Sequence, residues 1–181
     1  MIVRSILHCN GVRMMKTLGL VVAVIVVGLP AAALVAGQMN LLSGRRPQDL
    51  GERNGLLKPP VAASWNVVSS QASRHPHTDY HDIAPLSYQG DGSAAFGRLA
   101  AVVETMPGAT IIRSQPGYLY AEFQTPALKF VDDVEFLLDQ STGVIHMRSA
   151  SRLGSKDFGA NRKRLEAIRQ RFDARSAGAT R

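Results

Sequence analysis

The sequence predicts an α+β domain, a small antiparallel β-sheet with helices packed on one face, preceded by one N-terminal transmembrane or signal helix. Three observations carry this reading. Residues 18–36 hold no charged side chain, residues 109–149 contain two pairs of β-prone runs each joined by a turn signal, and apolar residues recur at helical spacing on both sides of those runs. Of the 181 residues, 45% are hydrophobic and 19% charged, which excludes a disordered or collagen-like chain. Without its N-terminal segment the chain suits one domain of about 100–150 residues.

Residues 1–17 form a short basic segment carrying Arg4, Arg13 and Lys16. Leu18–Ala36 follows, and as a helix it is about 28 Å long, close to the roughly 30 Å hydrocarbon core of a bilayer. A basic flank before an apolar run marks both a signal anchor and a cleaved signal peptide. The run exceeds the h-region of a typical signal peptide, roughly 7–15 residues, and so favours a retained single-pass anchor. The domain behind it is then expected on the periplasmic side of a bacterial inner membrane. Cleavage after Gly37 is the alternative, and translation from Met1, Met14 or Met15 is left open. Cys9, the only cysteine, precedes the apolar run. A disulfide framework, a lipid-modified cysteine after the run and a Cys-pair zinc site are therefore not expected.

Residues 37–60 read as a linker, because Gly44, Pro47, Gly51, Gly55, Pro59 and Pro60 interrupt them without any helical or alternating period. The domain proper is expected over 61–175, with a disordered tail at 176–181. Phe96, Leu99, Ala100 and Val103 recur on one face of a helix over about 93–105, after the caps Asp91 or Ser93 and before Pro107-Gly108. Residues 109–114 and 118–124 flank Pro116-Gly117 as a hairpin. Residues 131–138 and 144–149 form a second, around Asp139–Gly143.

Burial fixes the register of that second hairpin. Pairing residues of opposite parity puts Val134, Phe136 and Leu138 on the face of Ile145 and Met147, and leaves Asp133 and Glu135 with His146 and Arg148 on the other. This acid–base cluster reads either as complementary charge on a solvated sheet face or as a site in which a carboxylate orients a histidine. A last helix over about 159–175 carries a narrow apolar seam of Phe158, Asn161, Leu165, Ile168 and Phe172. Arg162, Glu166, Arg169 and Asp173 form a ladder on one flank, and Arg164, Arg171 and Arg175 a basic stripe without acidic partners on the other.

Charge is sorted along the chain. Residues 61–147 hold four basic and nine acidic residues, whereas 148–181 hold ten basic and three acidic, within a net charge of +7. An acidic body with a basic end is unlike a nucleic-acid module, which presents a basic face with stacking aromatics. The candidate binding residues are Arg148, Ser149, Ser151, Arg152, Asn161 and Arg162, extended by Arg164, Arg171 and Arg175. Hydroxyls, arginines and free backbone N–H groups near a helix start suit a phosphate or carboxylate. In the competing reading, Ser151 or Asp157 caps the helix and Arg148 and Arg152 pair with Asp132, Asp133 or Glu135.

His75, His77, Asp79, His81 and Asp82 are the densest group of metal-ligand types. Their order superficially resembles the H-x-H-x-D-H signature of metallo-β-lactamase-type hydrolases, but Tyr80 stands where a histidine belongs. A polar loop in which His81 makes a structural hydrogen bond is the preferred reading, with no metal and no cofactor.

The stretches FVDDVEF (130–136), VIHMRSASRLG (144–154) and DFGANRKRLEAIR (157–169) closely resemble a bacterial and plastid family known as domain-of-unknown-function family 1499. VVSSQA (67–72) and HDIAPLSYQG (81–90) extend the resemblance over about 61–175. It implies a membrane-anchored or exported protein and brings no activity or catalytic residue with it. Val67 stands where the family commonly has cysteine, so thiol chemistry does not transfer to this chain. The expected function is a non-catalytic, membrane-anchored envelope module that contacts an acidic ligand, lipid or partner. Its rivals are a small hydrolase or transferase using His146 with Asp133 or Glu135, and a structural assembly partner.

Overall fold

The computed structural model describes residues 14–178; Arg4, Cys9 and Arg13 of the basic segment and the last three residues of the expected tail lie outside them. Helix α1 (Met14–Gln38) is 25 residues long with a mean hydropathy of 2.8, and none of its most apolar stretch is buried. Its segment Val24–Gly28 is π-helical. Pro30 follows after Leu29 and lacks the N–H that would bond back to Val26, so the backbone widens just before it.

The sheet contains β1 (Val67–Ser69), β2 (Leu86–Ser87), β3 (Ala109–Gln115), β4 (Tyr118–Gln124), β5 (Val131–Asp139) and β6 (Val144–Ser151). Its order is β1-β6-β5-β4-β3, with β2 also paired to β6, and every pairing is antiparallel. Both expected hairpins form. In the second, Phe136 lies opposite Met147, Leu138 opposite Ile145 and Glu135 opposite Arg148, which is the opposite-parity register that burial requires. A bulge at Ile112 shifts the register of the first hairpin.

Helices α2 (Gly92–Glu104) and α3 (Ala160–Gly178) cover one face. Leu99, Val102 and Val103 of α2 meet Leu165, Ile168 and Phe172 of α3 over Leu119, Val134, Phe136, Ile145 and Met147, all fully buried. Asp91 caps α2 by accepting a hydrogen bond from Ala94 N at 2.7 Å. The last helix runs on to Gly178, so the first residues of the expected tail are helical. Phe158, expected in its apolar seam, is instead 91% exposed, because the chain turns away from the sheet there with a left-handed φ of 53°.

The opposite face is not solvated. Residues 46–58, expected to be a free linker, lie across it as a strap. Leu57 and Leu50 pack on Tyr118, Tyr120 and Leu137, Gln71 accepts from Leu57 N at 2.9 Å, and Gln71 Nε2 donates to Gly55 O at 2.9 Å. The apolar surface of those two tyrosines and a leucine on the outer face is what a cover removes from water.

Candidate functional site

The strap side of the sheet carries a buried ladder of ion pairs. Alternation along β4, β5 and β6 turns Tyr118, Tyr120 and Glu122, Asp133 and Glu135, and His146 and Arg148 to that side. Arg148 Nη1 donates to Glu135 Oε2 at 3.0 Å, and Glu135 Oε1 accepts from Tyr118 Oη and from Gly51 N of the strap, both at 2.8 Å. Arg152 Nη2 reaches Asp133 Oδ1 at 2.7 Å and also Glu122, which takes a further bond from Arg46 Nε of the strap at 2.5 Å. Burial pushes Glu122 upward, but hydrogen bonds from Arg46, Arg152 and Tyr120 outweigh it and hold the carboxyl below its ordinary value. Tyr118 and Tyr120 are pushed well above theirs, first by burial and then by the adjoining carboxylates.

The turn from β6 into α3 uses its polar groups internally. Asn161 is fully buried: its Oδ1 accepts from Ser149 Oγ at 2.5 Å and from Arg164 Nη1 at 2.7 Å, and its Nδ2 donates to Asn66 O at 2.8 Å and Ser151 Oγ at 2.9 Å. Asp157 caps the helix by accepting from Gly159 N and Asn161 N, each at 2.9 Å, and also binds Tyr80 Oη. Burial opposes ionisation of Asp157, yet the Tyr80 and backbone hydrogen bonds keep its carboxyl below the ordinary value. Burial first, then Asp157, raise the Tyr80 hydroxyl to about 12.

The expected basic stripe on α3 is divided. Arg164 pairs with Asp132, which alternation places on the helix side of β5, and lies 5.1 Å over the Phe123 ring. Arg171 makes only a long contact, 3.4 Å to Thr105 O, and Arg175 is exposed. Arg162 donates to Tyr80 O at 2.7 Å, and Arg169 bridges Glu166, Ala84 O and Pro85 O. Ser149, Asn161 and Arg164 thus meet one another and Asp132 on the helix side of the sheet, while Arg148 and Arg152 are turned to Glu135 and Asp133 on the strap side.

His146 is separated from the acids expected beside it. It lies opposite Leu137, while Glu135 is taken by Arg148 and Asp133 by Arg152. Its actual neighbours are Ser70, whose Oγ is 3.2 Å from Nδ1, and Asp139, whose Oδ2 is 3.8 Å from Nε2. Ser70 Oγ also accepts from Met147 N at 2.9 Å. Burial lowers the His146 value, Asp139 opposes this and Arg74 adds to it. Asp139 itself is held down to about 2, chiefly by the Ser141 and Thr142 hydroxyls. Ser70 is 76 residues from His146 in sequence and joins it only through the pairing of β1 with β6, whereas Asp139 belongs to the same hairpin as His146, on the face that the opposite-parity register gives them both.

In the histidine loop, His81 is buried, accepts from Thr78 N at 2.9 Å through Nδ1 and meets Ser64 O at 2.7 Å through Nε2. His77 lies 3.1 Å from Asp82. Among the described residues no three His, Cys, Asp or Glu side chains converge in a metal-holding arrangement.

A wide groove of about 1500 Å³ opens where the β3–β4 and β5–β6 turns meet the strap, lined in part by Gly51, Asn54, Arg74, Arg113, Tyr118 and Asp139. Arg74 and Arg113 stand exposed at this groove, and among the described residues neither has an ion-pair partner; Arg113 lies 6.0 Å over the Tyr118 ring. The sequence marked neither arginine, since each is an isolated charge outside the basic C-terminal region.

A family model described as "Protein of unknown function (DUF1499)" matches residues 59–172. No curated protein and no solved structure matches the chain.

Proposed function

The chain belongs to the DUF1499 family, and we propose that it works as a non-catalytic binding module, held by α1 in a bacterial inner membrane with its domain on the periplasmic side. The basic flank of Arg4, Arg13 and Lys16 before the apolar run favours that orientation. The ligand is an acidic small molecule or headgroup, and its site is the groove rather than the β6–α3 turn. One observation carries this choice: Arg148, Arg152 and Arg164 are already neutralised by buried carboxylates, whereas Arg74 and Arg113 line an open groove with no ion-pair partner among the described residues. Removing a paired, buried arginine from its carboxylate to serve a ligand leaves that carboxylate uncompensated, which is costly.

The test is a thermal-shift screen of the full chain in nanodiscs against phosphorylated metabolites, acidic glycans and soluble anionic headgroups, at low and high salt. Ligand at 100 times its Kd stabilises by about 2.7 kcal/mol. A salt-sensitive shift lost in Arg74→Ala/Arg113→Ala but kept in Arg171→Ala/Arg175→Ala supports the groove. A shift kept by the first pair, or silence across the panel, overturns it.

A second reading, a small hydrolase, draws on the 3.2 Å approach of Ser70 Oγ to His146 Nδ1. Geometry favours it less, because Asp139 is beyond hydrogen-bond reach of His146 and its oxygens serve Ser141 and Thr142. Turnover of ester or phosphoester probes that disappears in both Ser70→Ala and His146→Gln supports it; turnover unchanged in either variant rules it out.

A further inference from the structure

The end of the sheet opposite the groove is where α1 joins the domain. Gly37, the last buried residue of α1, packs so closely that a Cβ there would sit 2.7 Å from Leu128 O, and Gln38 Nε2 donates to Ala127 O at 2.9 Å. Gly44 then lies against the side chains of Arg152 and Leu153. The bilayer end of α1 is thereby tied to the β4–β5 and β6–α3 loops.

Around this junction the domain exposes large apolar side chains. Phe130 stands in the β4–β5 loop, Leu153 in the β6–α3 loop, and Trp65 beside the latter, held by Trp65 N donating to Ser155 O at 2.7 Å and Asp157 N donating to Trp65 O at 3.1 Å. Lys156 Nζ sits 5.4 Å over the Trp65 ring. Phe158 completes the group. It is the most exposed large apolar residue described, and it is held out by a left-handed backbone that a bulky aromatic side chain rarely adopts. Asp157 pins that conformation through its bonds to Gly159 N and Asn161 N. Elsewhere the same chain covers even a sheet face carrying two tyrosines, so solvent exposure of Trp65, Leu153 and Phe158 together is not its rule.

The geometry points to this end of the domain as a membrane-resting surface: Trp65, Phe130, Leu153 and Phe158 enter the interfacial layer of the bilayer that α1 spans, with Lys156 at headgroup level. Amphipathic aromatics and snorkelling lysines are the side chains that layer accepts. The occupant is set by continuity, since the helix that crosses the bilayer ends against the loops that carry the patch. Resting the domain on this end turns the groove, at the other end of the sheet, away from the lipid. The inference rests on α1 being retained in a membrane.

Trp65 is the only tryptophan in the chain, so its emission reports on the patch directly. The full chain is reconstituted in vesicles of phosphatidylethanolamine and phosphatidylglycerol containing a phospholipid brominated near its headgroup or near its chain end. The expected result is co-flotation with the vesicles after an alkaline wash, a blue-shifted Trp65 emission, and quenching stronger by the shallow label than by the deep one. Phe158→Asn/Leu153→Asn should lose much of that quenching. Asparagine tolerates a left-handed φ, so Phe158→Asn alone should keep or raise the thermal midpoint, which separates loss of membrane contact from loss of fold. Co-flotation with an unquenched Trp65 overturns the surface while leaving the anchor intact. A chain that does not float overturns both. Protection from aqueous iodide without quenching by either brominated lipid assigns the patch to a protein partner and likewise overturns the proposal.

Discussion

Replacing Arg148 by methionine removes the cation from the most buried ion pair of the strap face. The side chains of Arg148 and Glu135 are 6% and 0% exposed, and one bond of 3.0 Å joins them. Breaking a buried pair by removing one partner costs about 3–5 kcal/mol, since the remaining charge is uncompensated. Glu135 keeps two donors, Tyr118 Oη and Gly51 N. The cost therefore belongs at the lower end, about 3 kcal/mol, which lowers the thermal midpoint by about 12 °C for a domain of this size. The double variant Glu135→Leu/Arg148→Met carries neither charge of this pair. It orphans the Tyr118 hydroxyl and the Gly51 amide but also removes the Arg148 Nε, which is buried with no hydrogen-bond partner among the described residues. Its expected loss is about 1–2 kcal/mol, smaller than that of the single variant, because a buried pair contributes little beyond its apolar replacement. Adding Tyr118→Phe removes one orphan and should recover part of the difference. Thermal and urea unfolding of the full chain in nanodiscs, followed by Trp65 emission, measures all three. A loss below about 1 kcal/mol in Arg148→Met, or a double variant less stable than the single, refutes the account of a dry, strap-covered pair.

Three further outcomes test other parts of the structure. His146 has a folded value below its ordinary 6.5 because it is buried, so the unfolded chain takes up the proton first as pH falls. Its neutral, folded form carries no penalty above pH 6.5, and stability declines from there towards the lower folded value. Midpoints measured between neutral and mildly acidic pH should show this slope in the wild type and lack it in His146→Gln, whereas the contributions of Asp139, Asp157 and Glu122 are lost at lower pH in both. Gly108→Ala should cost about 2–4 kcal/mol in urea unfolding, through left-handed strain and overpacking, because φ is 74° and the added Cβ would meet Gln124 O at 2.4 Å. Asn161→Ala, which leaves Ser149, Ser151, Arg164 and Asn66 O without their shared partner, should cost about 2–4 kcal/mol in the same assay, and an unaffected midpoint would show that the β6–α3 turn does not depend on it.

Local pattern determined much of this protein. The charge-free run of α1, the turn residues Pro116-Gly117 and Asp139–Gly143, and the alternation of Val134, Phe136, Ile145 and Met147 each act within a few residues, so helix, hairpins and register are legible from the sequence alone. The stretches that resemble the family lie in β1, β2, the second hairpin and the start of α3. Tertiary structure decided which charges are free. Arg152 and Asp133 are 19 residues apart and Arg164 and Asp132 32, and only the placement of α3 against one side of β5 and of the β6 exit against the other sorts adjacent aspartates to different arginines. The basic C-terminal region thus looked available as composition and is largely committed as structure. The strap escaped the sequence for a related reason: Leu50 and Leu57 are too sparse to give a period, and their burial depends on Tyr118, Tyr120 and Leu137 meeting on a face that alternation marks only as the side away from the helices. Phe158 completes the contrast, since its spacing fits the apolar seam of α3 while a left-handed backbone just before the helix turns it outward. Periodicity states what a side chain prefers, and the path of the backbone through three dimensions decides whether that preference is met by the core, by a strap or by something outside the domain.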